Sequence, residues 1–515
     1  MLECRPDAQF SDREQMIYET IAAVDIGSNS FRLQLGRVVD DQIYALDSLK
    51  EPVRLASGLM VDKRLDLESQ ERALKALRCF GERLRGLDQG AVRAVATNTM
   101  RVAKNAAEFL PLAEEALGFP IEIIAGREEA RLIYLGAAHS LPAAAHRRLV
   151  VDIGGGSTEF IIGKRHRPQL MESLYMGCVS YTLRFFPDGK VNRKRLRDAQ
   201  VAAAKEIELI ARDYKRLGWK EAVGSSGSAR AIADVLELNQ LNPGGRFGIT
   251  REGLDMLCDL LVEAGSAEAL DLQGIKADRI PVMAGGIAIM SAVFAEIGIE
   301  TMSYADGALR LGVLHDLLGR YRDHDMRDST VEQFRRRYQV EVDQSERVDA
   351  TALSALTQLA EGAPGAGDLQ FLSWAARLHE IGISVAHSAY HKHGAYILTY
   401  ADMPGFSKRD QARLAMLVLA HRGTLDKLRA LPAVDSIWKL IFSLRLAVLL
   451  HRARNDRALP AWRVAATSGG FRLDLPARWL AENPWTAAAF SEEAAVWKEI
   501  GHDYAVKSTA ERGPA

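Results

Sequence analysis

A chain of 515 residues with 48% apolar and 26% charged residues has the composition of an ordinary soluble globular protein, and its length suits about three to four domains. The formal net charge of −1 excludes a chain that attracts polyanions through its overall charge, so nucleic acid is not an expected partner and any polyanion must bind at local patches. Cys4, Cys79, Cys178 and Cys258 form no CxxC pair, which is typical of reduced thiols in a cytosolic protein.

The N-terminal residues 1–17 are polar and mixed in charge, without the apolar core of a signal peptide. We expect them to form a flexible extension ahead of the first strand. We see no apolar run of the roughly 18 residues that a membrane span needs, so an integral membrane protein is not expected. The expected location is the cytoplasm, and loose attachment to the inner face of the cell membrane through a partner is left open.

An internal near-repeat is the most informative feature of the chain. Residues 22–33 read AAVDIGSNSFRL, and residues 149–162 read LVVDIGGGSTEFII. Each copy has an apolar strand, then Asp-Ile-Gly, a small polar turn and a second strand-like run. This pattern predicts a β-hairpin, whereas a Walker loop or a dinucleotide loop needs a helix after the glycines. Two copies predict two related α/β lobes that face one another across a cleft.

Strands and helices alternate along both predicted lobes, which is typical of an α/β fold. In the first lobe the pattern predicts helices over 68–86 and 98–117 and strands over 91–96 and 120–124. The second lobe continues with a helix near 197–217, a strand that ends at Val223, a helix from Ala229 and a strand–turn at 280–286 before another helix, and it closes around residues 303–307.

The character of the sequence changes near residue 316. A charged stretch is followed by an almost wholly helical pattern to about residue 455, and the tail contains short strand candidates before a final helix. We therefore predict an extension over 1–17, a first lobe over 18–134, a second lobe over 135–315, a helical domain over 316–456 and a small α+β cap over 457–515.

The two repeated turns are candidate phosphate-binding loops, because glycine lets backbone N–H groups approach an anion closely and Ser and Thr add hydroxyl donors. Asp25 and Asp152 end the strands before these turns, where each could hold a metal ion or its water molecules. The candidate phosphate-binding residues of the turns are Gly27, Ser28, Asn29, Ser30, Gly154, Gly155, Gly156, Ser157 and Thr158.

Three acidic residues near these turns are further candidates. Glu159 begins the strand after the second turn, as a metal ligand or a group that orients water. Glu128 and Glu129 open a helix, where the helix dipole also favours carboxylates. A catalytic carboxylate is needed to deprotonate the attacking water. Adjacent helical positions point about 100° apart, so one of the two is expected to face the cleft, and periodicity does not say which.

Two further polar clusters precede helices, whose N-termini bind phosphate through free N–H groups. One is Thr97, Asn98 and Arg101, and the other is Gly224, Ser225, Ser226, Gly227 and Ser228. For the second cluster, a serine helix cap with a glycine turn is an equally good interpretation. Clusters of basic residues include Arg193, Lys194, Arg197, Arg335 and Arg336, which are typical of a solvated helix face or of a track for a polyanion.

Taken together, these motifs resemble those of the exopolyphosphatase / guanosine pentaphosphate phosphohydrolase family. The resemblance runs in order from about residue 20 to near the C-terminus. It is carried by the segments DIGSNSFRL, ATNTMR, PIEIIAGREEARLIYLG, VDIGGGSTEF, MGCVSY, GSSGS, SYADGALRLGVL and LHEIGISVAHSAYHKHGAYIL. It implies a duplicated actin-like ATPase fold, removal of a terminal phosphate, dependence on Mg²⁺ (with Mn²⁺ as the alternative) and a homodimer.

The resemblance also implies roles for single residues. The family's catalytic glutamate falls on Glu129, and its metal-site acids fall on Asp152 and Glu159, with Asp25 on the phosphate side of the cleft. The helical region resembles an HD-like domain. A metal-dependent HD hydrolase needs a His-Asp pair, and this chain has His379-Glu380 there. We therefore interpret this domain as a substrate-binding and dimerisation module.

The expected activity is hydrolysis of a terminal phosphoanhydride. Inorganic polyphosphate is the first expected substrate, because the length of the chain and the segment HSAYHKHGAYIL look closer to exopolyphosphatases. The alternative is guanosine pentaphosphate, with guanosine tetraphosphate as its product, at the same site. A kinase of the same superfold is a further alternative, but no acceptor site is evident in the sequence.

Overall fold

The computed structural model describes residues 18–39, 42–321, 325–428, 435–456 and 458–509. The predicted flexible extension over 1–17 lies outside the described residues. The chain divides into two compact units, and the boundary along the sequence falls between Met326 and Arg327.

The first lobe is a five-stranded sheet with helices on it. Its strands are β1 (Thr20–Ile26), β2 (Phe31–Val39), β3 (Gln42–Glu51), β4 (Val92–Ala96) and β5 (Ile121–Ile123), in the order β3-β2-β1-β4-β5. Its helices are α1 (Leu67–Leu84), α2 (Asn98–Val102) and α3 (Ala106–Leu117). The first three strands are antiparallel, and β4 and β5 run parallel to β1. The predicted α/β alternation is confirmed here.

The second lobe repeats this plan. Helix α4 (Gly126–Ser140) leads into it. Its strands are β6 (Arg147–Ile153), β7 (Thr158–Lys164), β8 (Arg167–Leu174), β9 (Glu221–Gly224), β10 (Ile249–Thr250) and β11 (Thr301–Tyr304), in the order β10-β11-β9-β6-β7-β8. Its helices are α5 (Cys178–Phe185), α6 (Arg193–Leu217), α7 (Gly227–Leu238), α8 (Arg251–Ala264) and α9 (Ile280–Ile297), and α10 (Leu309–Tyr321) follows.

Both copies of the repeat form the predicted hairpins. In β1–β2 the register places Asp25 opposite Arg32, and in β6–β7 it places Asp152 opposite Glu159. These two pairs occupy equivalent positions, because each is the last but one cross-strand pair before the turn of its hairpin. The second hairpin therefore carries two carboxylates where the first carries a carboxylate and a guanidinium.

The segment 280–286 corrects the expected strand–turn. It is the start of the continuous helix α9, and it packs closely against α5, because a methyl group at Gly285 would lie 2.5 Å from the carbonyl oxygen of Cys178. The glycine pair thus serves helix packing rather than a turn. By length and hydropathy this helix could also span a membrane, contrary to the expectation from the sequence. However, 72% of its 18 residues are buried within the protein. It is a core helix of the second lobe.

Helices α4 and α10 pack together between the facing sides of the two sheets. Their cluster of buried side chains includes Val95 and Val150 from the sheets, Ile133 from α4 and Leu314 from α10. The expected boundaries at 134/135 and 315/316 fall inside these two helices. The lobes therefore meet along continuous helices rather than at a linker.

The second unit combines a helical bundle with a small sheet. Its helices are α11 (Met326–Arg337), α12 (Val342–Leu359), α13 (Ala366–Leu378), α14 (Tyr390–Tyr400), α15 (Lys408–Ala420), α16 (Asp435–Leu450), α17 (Ala477–Glu482) and α18 (Pro484–Glu499). Its strands are β12 (Arg463–Thr467), β13 (Gly470–Pro476) and β14 (Asp503–Thr509). The rings of Phe442 and Phe471 stack with centroids 4.2 Å apart, so the sheet and the bundle share one core. Among the described residues of both units, short 3₁₀ turns lie at Leu55–Gly58, Gln89–Ala91, Pro243–Gly245, Ile381–Ser384 and Asp426–Leu428.

Candidate active site

The two glycine hairpins meet in a cleft of the first unit. A methyl group at Gly155 would lie 2.8 Å from Cβ of Ser28 and 3.1 Å from the backbone nitrogen of Asn29, so the turns are almost in contact. Only glycine fits between backbones at this separation. The face-to-face geometry expected from the repeat is therefore present, and it brings small polar residues of both turns to one cavity.

Most of the predicted phosphate-binding residues line this cleft. The lining residues are Gly27, Ser28, Asn29, Ser30, Thr97, Gly154, Gly155, Ser157, Ser225, Ser226 and Gly227. The Ser226 hydroxyl accepts from the backbone nitrogen of Ala229 and caps helix α7. Ser226 therefore both caps helix α7 and lines the cleft.

Six predicted residues do not line the cleft: Asn98, Arg101, Gly156, Thr158, Gly224 and Ser228. The fully buried Thr158 hydroxyl donates to the carbonyl of Met176 (2.6 Å), and the Ser228 hydroxyl donates to the carbonyl of Ile153 (3.2 Å). Their hydrogen bonds fix the turns from behind, so the expectation that they contact phosphate directly is corrected.

The other members of this group also act as supports. A methyl group at Gly156 would lie 2.5 Å from Oδ1 of Asn98, so these two residues pack tightly beneath the turn. The carbonyl of Gly224 accepts a hydrogen bond from the backbone nitrogen of Ala305 (2.9 Å). None of these groups faces the cavity.

The neighbouring glutamates of α4 have different surroundings. Glu129 lines the cleft, and its Oε2 atom accepts a hydrogen bond from Nη1 of Arg101 at 2.7 Å. Glu128 is instead held by Arg131 through two hydrogen bonds of 2.8 Å, in an ion-pair cluster with Asp316. Burial alone would lower the pKa of Arg101, but the charge of Glu129 outweighs it and the pKa is raised. Arg101 is thus a charged support for Glu129 rather than a phosphate-binding residue of the cleft wall.

Three further carboxylates gather beside Glu129. Burial raises the pKa of Asp25 to about 6 and that of Asp152 to about 6, and the charge of Glu129 adds to both shifts. Asp152 accepts a hydrogen bond from the Ser225 hydroxyl at 2.7 Å. Burial and the charge of Glu129 likewise raise the pKa of Glu159, which accepts from a serine hydroxyl and lies behind the lining of the cleft. The site concentrates negative charge that a cation would neutralise.

The donor set fits a magnesium ion that arrives with phosphate. Within the described ranges there is no group of three or more His, Cys, Asp or Glu side chains that could hold a metal ion by itself. Magnesium, however, is usually held by one or two carboxylates together with substrate phosphates and water. Asp25 and Asp152, which approach from the two hairpins, provide such a pair.

Basic residues of the cleft wall were missed by the sequence interpretation. The cleft is also lined by Arg32, Lys50, Arg230, Lys276, Arg279 and Arg310, with Asp278 and Asp306 beside them. The strand alternation around Arg32 and its place in the repeat were a usable signal, and Arg310 lies in the quoted segment SYADGALRLGVL. The others come from segments without a motif.

Most residues of the predicted polyanion track are exposed, as either a polyanion track or a solvated helix face requires, and the track stays a prediction. Arg193, Lys194 and Arg197 are exposed at the start of α6, and Arg193 forms an ion pair with Asp259. In the second unit Arg336 is exposed.

Arg335 corrects this expectation. It is 3% exposed, and it donates to Glu332 (2.6 Å) and to the hydroxyl of Ser345 (3.0 Å). Its charge is used inside the helical unit and does not face a ligand on the surface.

The His379-Glu380 pair of the second unit is buried and engaged. Nδ1 of His379 donates to the carbonyl of Ala376 at 2.6 Å, and Glu380 is ion-paired with Arg454. Burial lowers the pKa of His379, which keeps the imidazole neutral. These contacts serve the packing of the unit.

Comparison with known proteins gives matches along nearly the whole chain. The model of the Ppx/GppA phosphatase family matches residues 35–321, and the model of Ppx/GppA phosphatase domain III matches residues 326–494. A guanosine-5'-triphosphate,3'-diphosphate pyrophosphatase of Aeromonas hydrophila subsp. hydrophila is 36% identical over 493 residues, which cover 93% of this chain and 97% of the relative.

Solved structures resemble the first part of the chain. An exopolyphosphatase-like protein is 27% identical, with a TM-score of 0.52, and covers 58% of this chain and 97% of its own. An exopolyphosphatase from Cytophaga hutchinsonii is 22% identical, with the same TM-score of 0.52 and the same 58% and 97% coverage. Because the protein from Cytophaga hutchinsonii is only 22% identical, its similarity shows the fold alone. Together with the paired hairpin lobes, these matches confirm the predicted actin-like α/β fold.

Proposed function

Because the chain belongs to the Ppx/GppA phosphatase family, a family of phosphoanhydride hydrolases, we propose that it removes the terminal 5'-phosphate of guanosine pentaphosphate and releases guanosine tetraphosphate and orthophosphate. The observation that carries the chemistry is the position of Glu129, which lines the cleft opposite the two hairpins. A guanosine-5'-triphosphate,3'-diphosphate pyrophosphatase is 36% identical to this chain over 93% of its length, which supports the choice of substrate.

This choice reverses the order expected from the sequence, which placed inorganic polyphosphate first. The relative that supports guanosine pentaphosphate spans both units, whereas the exopolyphosphatase-like structure covers 58% of the chain at 27% identity. Polyphosphate remains the second candidate, because that structure carries the exopolyphosphatase description and the wall of the cleft is rich in arginine and lysine.

In the proposed mechanism, the terminal phosphoryl group lies between the turns of the two hairpins. Backbone N–H groups of Gly27 and Gly155 and the hydroxyl of Ser28 are the proposed donors to its oxygens. When bound through Asp25 and Asp152, Mg²⁺ or Mn²⁺ would supply positive charge to the phosphate oxygens.

The proposed reaction is an in-line attack by water. Glu129 orients a water molecule and takes its proton as the oxygen attacks phosphorus. The bond from phosphorus to the bridging oxygen breaks, and its electron pair leaves with the shorter nucleotide. The Arg101 guanidinium, which donates a hydrogen bond of 2.7 Å to Glu129, holds the carboxylate in one orientation. We further propose that the active protein is a homodimer.

The proposal is tested by phosphate release from guanosine pentaphosphate, long-chain polyphosphate and ATP, each with Mg²⁺ and with chelator. We expect the highest kcat/KM with guanosine pentaphosphate and loss of activity with chelator. Turnover of polyphosphate alone would instead establish the second candidate. Phosphate transfer that needs an added acceptor would contradict both and indicate a kinase.

A further inference from the structure

Arg310 occupies a fixed position in the wall of the cleft. It lies in the first turn of α10, among the residues that line the cavity with the two hairpins. Helix α10 is pressed against α4, since a methyl group at Gly312 would lie 1.8 Å from the carbonyl oxygen of Leu132. Because α4 also carries Glu129, this contact fixes the backbone of Arg310 relative to that of the proposed base.

Arg310 has no hydrogen bond or ion pair with any residue that the structure describes. Several other arginines of this unit that are buried or nearly buried are paired. They are Arg93 with Asp316, Arg101 with Glu129, Arg131 with Glu128 and Arg148 with Glu221. A charge that is withdrawn from water without a partner is costly, so natural proteins rarely keep one unless a ligand completes it.

The charges around Arg310 also favour the binding of an anion. Burial and, to a smaller extent, the nearby charge of Arg32 lower the pKa of Arg310, and Asp25 offsets them only in part, so that the pKa is about 10. The guanidinium groups of Arg310 and Arg32 therefore repel one another across the cavity. A phosphate between them would remove this repulsion.

The chemistry of the guanidinium suits a phosphoryl group. Its planar fork can donate two parallel hydrogen bonds to two oxygens of one phosphate, which an ammonium group cannot do. Stabilisation of charge on the equatorial oxygens is the main task of the protein in phosphoryl transfer, and arginine is the side chain most often used for it.

We propose that Arg310 is a catalytic residue that binds two non-bridging oxygens of the terminal phosphoryl group and stabilises the charge they carry as the bridging bond breaks. The inference rests on the proposed function. Arg310 exchanges no proton: the proton of the attacking water passes to Glu129, and the guanidinium keeps all of its own throughout the step.

The kinetic test compares Arg310→Lys and Arg310→Met with the unchanged protein, using guanosine pentaphosphate. We expect kcat to fall about 100-fold or more in both variants with a smaller change in KM, because the interaction is made mainly in the transition state. Guanidinium ions added to Arg310→Ala should restore part of the rate. Near-normal kcat in Arg310→Lys would overturn the proposal.

The matched control is Arg148→Lys. Arg148 is buried in the second lobe, but it is paired with Glu221 (2.6 Å) and does not line the cleft. We expect this variant to lose stability and keep its kcat. An equal loss of kcat in Arg148→Lys would overturn the assignment, because any buried arginine would then serve as well.

A binding test separates this inference from the proposed function. Inorganic tripolyphosphate should raise the thermal unfolding midpoint of the unchanged protein by more than it raises that of Arg310→Met. Without ligand, Arg310→Met should unfold at the same temperature or higher, since no ion pair is lost. Early unfolding of Arg310→Met with an intact response to tripolyphosphate would overturn the proposal. If the unchanged protein fails to hydrolyse guanosine pentaphosphate, the proposed function is wrong, and this binding test still decides the role of Arg310.

Discussion

At the scale of the residue, two adjacent glutamates of one helix are assigned opposite tasks by their partners. Glu128 is 3% exposed and bound to Arg131, whereas Glu129 is 7% exposed and lines the cleft with Arg101 behind it. Neither burial nor helical periodicity distinguishes them. The direction in which each carboxylate points does.

Replacement of Glu129 by Gln tests this division of tasks. The amide keeps the size and can still accept a hydrogen bond from Arg101, but it cannot take a proton from water. We expect kcat for guanosine pentaphosphate to fall by about 100- to 10,000-fold with little change in KM or in the unfolding temperature. The matched change Glu128→Gln should lower the unfolding temperature and leave kcat within a few-fold. Near-normal turnover of the Glu129 variant would show that another group activates the water.

At the scale of the element, the contact between α4 and α10 holds the site together. Asp316 on α10 accepts hydrogen bonds from Arg93 (2.6 Å) and Arg131, and all three side chains are buried. Burial alone would raise the pKa of Asp316, but the charges of Arg131 and Arg93 outweigh it and hold the pKa well below its ordinary value. A cluster of this kind fixes how the helices sit against one another.

The replacement Asp316→Asn should therefore destabilise the protein in a pH-dependent way. Removal of one member of a buried ion-pair cluster costs about 3 kcal/mol of unfolding free energy. Because the folded pKa is depressed, this contribution is fully present above the unfolded pKa of about 3.9 and declines progressively as pH falls from there towards the lower folded pKa. Urea unfolding of both proteins between pH 7 and about pH 3 checks this. The exposed pair Asp259–Arg193 supplies the control, since Asp259→Asn should cost about 0–1 kcal/mol. A pH-independent loss would contradict the expectation.

How far the sequence predicted these elements depended on how local each signal is. The hairpins were predicted because strand, turn and strand lie within one short repeat, and the cross-strand pairs Asp25–Arg32 and Asp152–Glu159 follow from that register. The strand–turn at 280–286 was wrong because a glycine pair in an apolar run looks the same in a turn and in a tightly packed helix. The partner helix that decides between them is about 100 residues away.

At the scale of the whole molecule, the cleft wall depends on segments that meet only after folding. Lys50 of the first lobe and Asp278 of the second form an ion pair at the cleft, and both are more than one third exposed. No motif marks either residue, and their separation of 228 positions along the chain places their meeting beyond any local pattern. Basic lining residues outside the motifs, such as Lys50, could therefore not be predicted from the sequence, although the turns they face could.

This ion pair leads to a prediction about substrate binding. The carboxylate of Asp278 occupies Lys50 and keeps the ammonium from an incoming phosphate. Replacement of Asp278 by Asn should free Lys50, lower KM for guanosine pentaphosphate a few-fold at low salt and change stability by no more than about 1 kcal/mol, because exposed pairs contribute little. The gain should disappear at high salt, where screening weakens exposed charges, and it should be absent when Lys50→Ala is added to Asp278→Asn. Glu300→Gln changes the net charge equally at the exposed pair with Arg251 and should leave KM unchanged. A raised KM in the Asp278 variant would mean instead that the pair holds the lobes in the conformation that binds substrate.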